Sequence, residues 1–391
     1  MNYIANPLDS LPAGSIADVL PTVAAGFGLP GESRTGVSIP VDSSVVLLLI
    51  DGLGAELLAA HADLAPTLTE FTATTLRAGF PATTATSLTS LSVGAPCGVH
   101  GVVGYSFVPD AAVASTAGSR VLNSLRWTLD TAAGPTAAHI YPPESIQSNT
   151  TILQSLSESG VEINYVTPAY QRDSPLTRAV FRERGVHHPA STPGQIRDAV
   201  REIVSRLDGV QRFVYAYYGE LDLRGHIHGP GSPEWKATLA EVDALVAEVA
   251  DGLPSSCTLV VTGDHGMVPA GHVIDVESTP ELLAGVATVA GEARVRHVYA
   301  TPGAAGAVHD AWTATLGDHA HVVTRGRAID EGWFGDRVEA GVAARIGDVI
   351  AVARGHTILT RGVSEPVEST MAGHHGAWTP AEQLVPLIIS H

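Results

Sequence analysis

The chain has 391 residues and a formal net charge of −18, with a single lysine, Lys236, and most of its positive charge on arginine. That length accommodates one large α/β domain or two smaller ones. That charge excludes a surface built to track a nucleic-acid backbone, and an anionic substrate would need a local positive centre, which metal ions can supply. Residues 1–14 carry no basic or apolar segment of the secretory kind, and the longest apolar run, at residues 45–50, is far too short to span a membrane. Cys97 and Cys257 form neither a disulfide framework nor a CxxC pair. Reduced core thiols, a cytoplasmic location and no membrane partner are expected.

Residues 1–43 are rich in Pro, Gly and Ser, and residues 15–27 suit a short helix against a core. No chemistry is assigned to them. Residues 45–50, VVLLLI, read as a central parallel strand buried on both faces. Asp51 follows directly, where open α/β sheets place their ligands, although an acid there also suits a helix N-cap. Residues 55–61 read as helix and residues 76–80 as a strand that Pro81 stops. Leu88 and Leu91 indicate a helix entered near Thr83 or Thr84. A hydroxyl at that helix start is a phosphate-side group or an ordinary cap, and spacing alone names no nucleophile.

Residues 106–150 read as irregular. A helix follows over 151–159, a strand over 161–166, an amphipathic helix over 195–207 and a strand over 213–217. That strand leads into YGELDLRGHIHGP, residues 218–230, where one helical turn puts Asp222 and His226 on one face. Gly225 would let the backbone approach whatever they hold. A long helix over 232–253 has Pro233 as its first residue, and the strand over 258–261 delivers Gly263-Asp264-His265-Gly266. Residues 270–365 change character and suggest a small inserted α/β unit that could cover the site, with elements at 295–299, 304–316, 321–323 and 348–353. Gly373-His374-His375-Gly376 and a last strand over 384–389 complete the chain.

Strands alternating with helices indicate a doubly wound, mostly parallel sheet sandwiched by helices. The expected organisation is an N-terminal extension (1–43), a core (44–269 and 366–391) and the inserted unit (270–365). Three apolar strands run into Asp51, Asp222 and Asp264, a recurrence that unrelated loop acids explain badly. With His226, His265 and one of His374 or His375 they make two sites of three protein ligands each. Mixed Asp/His ligation suits zinc or manganese. Two such ions about 3.5–4 Å apart form the usual clamp for displacement at phosphorus.

These stretches resemble the alkaline phosphatase superfamily, and within it the nucleotide pyrophosphatase/phosphodiesterase family. The resemblance rests on IDG at 50–52, FPATT at 80–84, HG at 100–101, DLRGHIHGP at 222–230, TGDHGM at 262–267 and GHHG at 373–376, in the family's order. It implies an alkaline phosphatase-like core with two zinc ions. It implies that Thr84 is the nucleophile, with Thr83 the fallback, and that one zinc is held by Asp51, Asp264, His265 and the Thr84 oxygen. Asp222, His226 and His375 would hold the other, leaving His374 and His228 outside both sets. The implied reaction passes through a phospho-threonine.

One departure concerns substrate. Counting on from Thr84, the family's phosphoryl-binding asparagine falls on Tyr105, a neutral donor, and no Lys or Arg lies between Phe80 and Tyr105. A monoester would favour a cationic partner. A small-molecule phosphate diester or nucleotide is therefore expected, with Arg120 and Arg126 the cations that folding could bring in. The alternatives are a phosphomonoesterase or phosphonate hydrolase of the same superfamily and, in another class, a metal-binding protein without catalysis. A cofactor-independent phosphoglycerate mutase would need a serine nucleophile and a larger insertion. A sulfatase would need x-P-x-R after its Cys or Ser, and Cys97 is followed by Gly-Val-His.

Overall fold

The run VVLLLI belongs to the strand β1 (Ser44–Ile50), in which every residue is buried. Val45, Leu47 and Leu49 enter one apolar layer, and Val46, Leu48 and Ile50 enter the other. A strand of this kind survives only in the middle of a covered sheet. The computed structural model describes residues 6–30, 39–109, 121–129, 137–182, 185–206 and 208–390. Around β1 it places β2 (Thr72–Arg77), β3 (Glu162–Thr167), β4 (Val186–Pro189), β5 (Arg212–Tyr218) and β6 (Cys257–Thr262). A smaller sheet contains β7 (Val286–Glu292), β8 (Val295–Ala300), β9 (Ala320–Thr324) and β10 (Val349–Ala353), and β11 (Leu384–Ser390) returns to the first sheet.

The large sheet has the order β2-β11-β6-β1-β5-β3-β4. β1 is parallel to β5 and β6, and β3 is parallel to β4 and β5. β11 runs antiparallel to both of its neighbours. The helices α1 (Val19–Gly26), α3 (Thr84–Val93) and α4 (Ile152–Glu158) cover one face, through residues such as Leu20, Leu91 and Leu156. α2 (Ala55–Ala60), α5 (Pro193–Val204) and α7 (Pro233–Asp251) cover the other, through Leu58, Val200 and Val242. The fold is the doubly wound, mostly parallel α/β sandwich that the sequence pattern indicates.

Where the elements differ from the sequence reading, tertiary pairing decides. The strand expected over 76–80 is instead β2, an edge strand paired with β11 from Leu384↔Arg77 to Ile389↔Thr72. An edge admits the polar Thr residues that hid it, and Phe80 leaves the ladder to stack on Trp378 with ring centroids 4.0 Å apart. The edge strand β4 and the hairpin strand β7 were not foreseen. The helix expected over 195–207 ends at Val204, and Leu207 lies outside the described residues. No helix among the described residues is long and apolar enough to cross a membrane.

The smaller sheet is antiparallel, in the order β7-β8-β10-β9, with Val308 and Trp312 of α8 (Ala305–Leu316) in its apolar layer. Val273–Asp275 pairs with Ile358–Thr360 where the chain enters and leaves this unit. Arg294, at the β7–β8 turn, clips the unit to the core. Its guanidinium donates to both carboxylate oxygens of Glu382 at 2.8 Å, and both side chains are fully buried. Arg294→Ala would leave that carboxylate buried, with only the Ala377 N–H and the Thr379 hydroxyl as partners. The expected loss is about 3 kcal/mol of unfolding free energy, read from denaturant titration, and a loss under about 1 kcal/mol would show that the clip is dispensable.

Candidate metal centre

Asp222 and His226 both sit on α6 (Glu220–His228), directly after β5, and the four-residue spacing brings His226 Nε2 to 3.3 Å from Asp222 Oδ2. Gly225 does allow a close approach, though to chain and not to ligand. A Cβ there would meet Met267 Sδ at 2.5 Å, and a Cβ on Gly373 would meet the Gly225 carbonyl at 2.5 Å. The two glycines seat α6 against the segment that carries His374 and His375. Gly52, with φ +75°, likewise lets the β1 loop touch the Asp222 backbone.

Three imidazoles then converge with the same tautomer. His226 Nδ1 lies 2.8 Å from the Gly373 carbonyl, His265 Nδ1 3.0 Å from that of Gly266, and His375 Nδ1 2.7 Å from that of Ala82. A carbonyl only accepts, so each Nδ1 carries the proton and each Nε2 presents a lone pair. His375 Nε2 stands 3.3 Å from His226 Nε2, and the His265 and His375 rings stack at 3.6 Å. Two acceptors at that separation repel unless a cation lies against them.

The carboxylates follow the same rule. Asp264 Oδ1 accepts from the Gly52 and His265 N–H groups, each at 3.1 Å. Asp51 Oδ2 accepts from the Tyr217 hydroxyl at 2.5 Å. Asp51 Oδ1, Asp222 Oδ1 and Asp264 Oδ2 are buried and have no hydrogen-bond partner. Gly54 and not Asp51 precedes α2, so the cap reading of Asp51 does not hold. His265 Nε2 is 3.5 Å from Asp51 Oδ1 and 3.6 Å from Asp264 Oδ2. Among the described residues, two groups have the reach to hold a metal ion, Asp222 with His226 and His375, and Asp51 with Asp222 and His265. Asp222 therefore stands between them. Orphaned buried oxygens beside unprotonated Nε2 atoms fit cation ligation by the chemistry of the donor set.

The electrostatics agree. Burial, with repulsion from Asp264 and Asp222, holds the Asp51 carboxyl well above the usual carboxylate range. Burial also raises Asp264. Burial and the neighbouring imidazoles push His375 well below the usual histidine range. Asp51 and Asp264, both raised, oppose each other when ionised, and a divalent cation beside them would offset that repulsion.

Thr84 is the first residue of α3, partly exposed, with its hydroxyl 3.2 Å from His265 Nε2. Thr83 is buried, and its side chain makes no capping bond. Tyr105 donates to Glu368 Oε1 at 3.0 Å, and Arg126 reaches the same oxygen at 3.3 Å. Burial raises the Tyr105 phenol to about 12, so it stays a neutral donor. Arg120 lies outside the described residues. His374 turns its Nε2 to the Met371 carbonyl at 3.2 Å, and His228 is exposed on the last turn of α6.

Tyr217 and Glu368 were missed in the sequence. Tyr217 was read only as strand, although its place beside the ligand end of β5 was a usable signal. Glu368 comes from the segment after the 270–365 unit, and no spacing marks it.

A doubly wound core whose strand ends gather three carboxylates, three imidazoles and a helix-start threonine has the form of a hydrolase of the alkaline phosphatase kind. More narrowly, the chain belongs to the type I phosphodiesterase/nucleotide pyrophosphatase family, whose model matches residues 45–378. It is 34% identical over 92 residues to ectonucleotide pyrophosphatase/phosphodiesterase family member 7 of Mus musculus, a match spanning 22% of this chain and 21% of that relative. Over 56 residues it is 38% identical to the catalytic subunit of GPI ethanolamine phosphate transferase 3 of Homo sapiens, which is 14% of this chain and 5% of that one. The matched stretches thus span about a fifth or less of these relatives. Among solved structures, murine ectonucleotide pyrophosphatase/phosphodiesterase 5 superposes with a TM-score of 0.65 at 16% identity, covering 88% of this chain and 87% of that one. Phosphonoacetate hydrolase from Sinorhizobium meliloti gives 0.65 at 19% identity, covering 90% and 91%. These two likenesses concern the fold.

Proposed function

We propose that the chain is a phosphodiesterase or nucleotide pyrophosphatase that uses Thr84 as nucleophile beside two zinc ions, with manganese the nearest substitute. Asp222, His226 and His375 would hold one ion, and Asp51, Asp264, His265 and the Thr84 oxygen the other. One observation carries this reading: all three imidazoles spend Nδ1 on a carbonyl, and all three aspartates keep one buried oxygen unpaired. When bound, such ions supply positive charge to the attacking and leaving oxygens and make the threonine hydroxyl more acidic.

The chain's own groups do the rest. The start of α3 aims the Thr84 oxygen and offers unpaired N–H groups to a phosphoryl oxygen. Thr84 attacks phosphorus in line, the leaving alcohol or nucleotide departs with the bonding pair, and water later cleaves the phospho-threonine. A murine neighbour studied in complex with AMP is an inactive threonine-to-alanine variant, which supports a threonine nucleophile and a nucleotide substrate.

Diester preference follows from charge. Arg126 is the cation that joins Tyr105, and Glu368 neutralises it. If Tyr105 faces the phosphoryl group, as its count from Thr84 implies, that group would meet no unpaired cation there, which suits the single charge of a diester. The test is kcat/KM for bis-p-nitrophenyl phosphate against p-nitrophenyl phosphate, with phosphonoacetate alongside. The expected result is a diester preference of about tenfold or more. A monoester preference, or turnover of phosphonoacetate alone, would move the chain to the corresponding branch of the superfamily.

A further inference from the structure

The side chains gathered at the centre are held by their far atoms. His226, His265 and His375 spend Nδ1 on the carbonyls of Gly373, Gly266 and Ala82. Asp264 spends Oδ1 on two backbone N–H groups. Asp51 spends Oδ2 on the Tyr217 hydroxyl at 2.5 Å. Among the described residues, these partners are backbone groups in every case but the last, so Tyr217 is the one that a substitution can remove. The chain makes room for this bond. β5 lies beside β1 with Tyr217 opposite Leu49, and the Asp51 N–H donates to the Tyr218 carbonyl at 3.0 Å. The phenol therefore leans forward along β5 to meet the Asp51 side chain. Gly219 leaves it the space: a Cβ there would stand 2.8 Å from the Tyr217 oxygen and 3.1 Å from its ring. The Gly219 backbone (φ −107°, ψ −1°) is open to any residue, so the phenol and not the turn calls for glycine. A phenol on this face does not pair by default. Tyr215, two residues back, has a buried hydroxyl with no hydrogen-bond partner.

We infer that Tyr217 is a positioning residue for the metal centre: by holding Asp51 Oδ2 it fixes the carboxylate with Oδ1 toward the ion that Asp51 would share with Asp264 and His265. Asp51 Oδ1 is the buried oxygen left without a partner, 3.5 Å from His265 Nε2. Without the phenol, both Asp51 oxygens would be unpaired and the carboxylate free to turn, so binding an ion would have to order it first. An outer partner of this kind is worth about 10- to 100-fold in metal affinity. The inference rests on the proposed two-ion centre.

The test is zinc affinity of the full chain, read by competition with a chromophoric chelator. Tyr217→Phe keeps the ring and removes the hydroxyl. It is expected to weaken one of the two ions about tenfold or more and to leave the other as in wild type. In the His375→Ala background, where the ion on Asp51, Asp264 and His265 is the one expected to remain, Tyr217→Phe should weaken that ion by the same factor. Tyr215→Phe removes a hydroxyl that has no partner and should leave both affinities unchanged. Gly219→Ala sets a methyl group against the phenol oxygen and should reproduce the loss, which keeps the test open if Tyr217→Phe does not fold. Wild-type affinity for both ions in Tyr217→Phe overturns the inference. An equal weakening by Tyr215→Phe overturns it too, as does weakening confined to the ion on Asp222, His226 and His375. A wild-type chain that binds fewer than two zinc ions overturns the proposed centre and the inference with it, whereas two tight ions with a flat Tyr217 series overturn the inference alone.

Discussion

Alanine in place of Thr84 is expected to lower kcat by roughly 10³-fold or more, with two metals per chain retained and little change in stability. The side chain is partly exposed at the first turn of α3, and its one side-chain hydrogen bond runs to His265 Nε2 at 3.2 Å. Its removal therefore costs the fold about 1 kcal/mol or less. Under the proposed role of Thr84, it would cost the reaction its attacking oxygen. Thr83 is a poorer candidate, because it is buried and the hydroxyl found at His265 Nε2 is that of Thr84. Steady-state turnover and an acid-quenched search for phosphorylated protein by mass spectrometry read the result. A dead Thr83→Ala enzyme beside an active Thr84→Ala enzyme would shift the nucleophile by one residue. Persistent turnover in both would point to direct attack by water.

The parts of this protein that were legible in sequence are those whose physics is local. β1 announces itself because a strand covered on both faces has no polar side to display. The pair Asp222 and His226 is legible because one helical turn fixes their relation whatever surrounds it. Asp51 and Asp264 were legible as acids ending apolar strands, and the cap alternative for Asp51 fell only when Gly54 was seen to precede α2. The choice between Thr83 and Thr84 was not a local matter. It depends on His265, 181 positions along the chain, which stands 3.2 Å from the Thr84 hydroxyl while Thr83 is buried.

Tyr105 shows the same limit from the other side. Its position was countable from Thr84, but its partners Glu368 and Arg126 arrive through long-range packing. Edge strands were under-read for a related reason. β2 and β4 have one neighbour each, so their residues need not be apolar, and pairing with β11 and β3 defines them. Gly225 was expected to admit whatever Asp222 and His226 hold, and the structure brings chain against it instead. What approaches it, Met267 and Gly373, is a fact of the fold and not of the motif.

His375→Ala is expected to release one metal ion per chain, and His374→Ala to release none. The two side chains are neighbours with opposite commitments. His375 donates Nδ1–H to the Ala82 carbonyl at 2.7 Å, which points its bare Nε2 at His226 Nε2, 3.3 Å away, and at Asp222 Oδ1, 3.9 Å away. His374 directs Nε2 to the Met371 carbonyl at 3.2 Å, and its ring centroid is 6.4 Å from that of His226. Truncating His375 leaves Asp222 and His226 as a two-ligand site, too few to hold zinc through gel filtration. The other ion, proposed on Asp51, Asp264, His265 and the Thr84 oxygen, would keep its ligands, so the metal-to-protein ratio should fall from two to one and not to zero. Loss of both ions would mean that Asp222, within reach of Asp51 and His265 as well, couples the two sites into one unit. Loss on His374→Ala with retention on His375→Ala would exchange the two roles and require the segment after Ala372 to turn its side chains over.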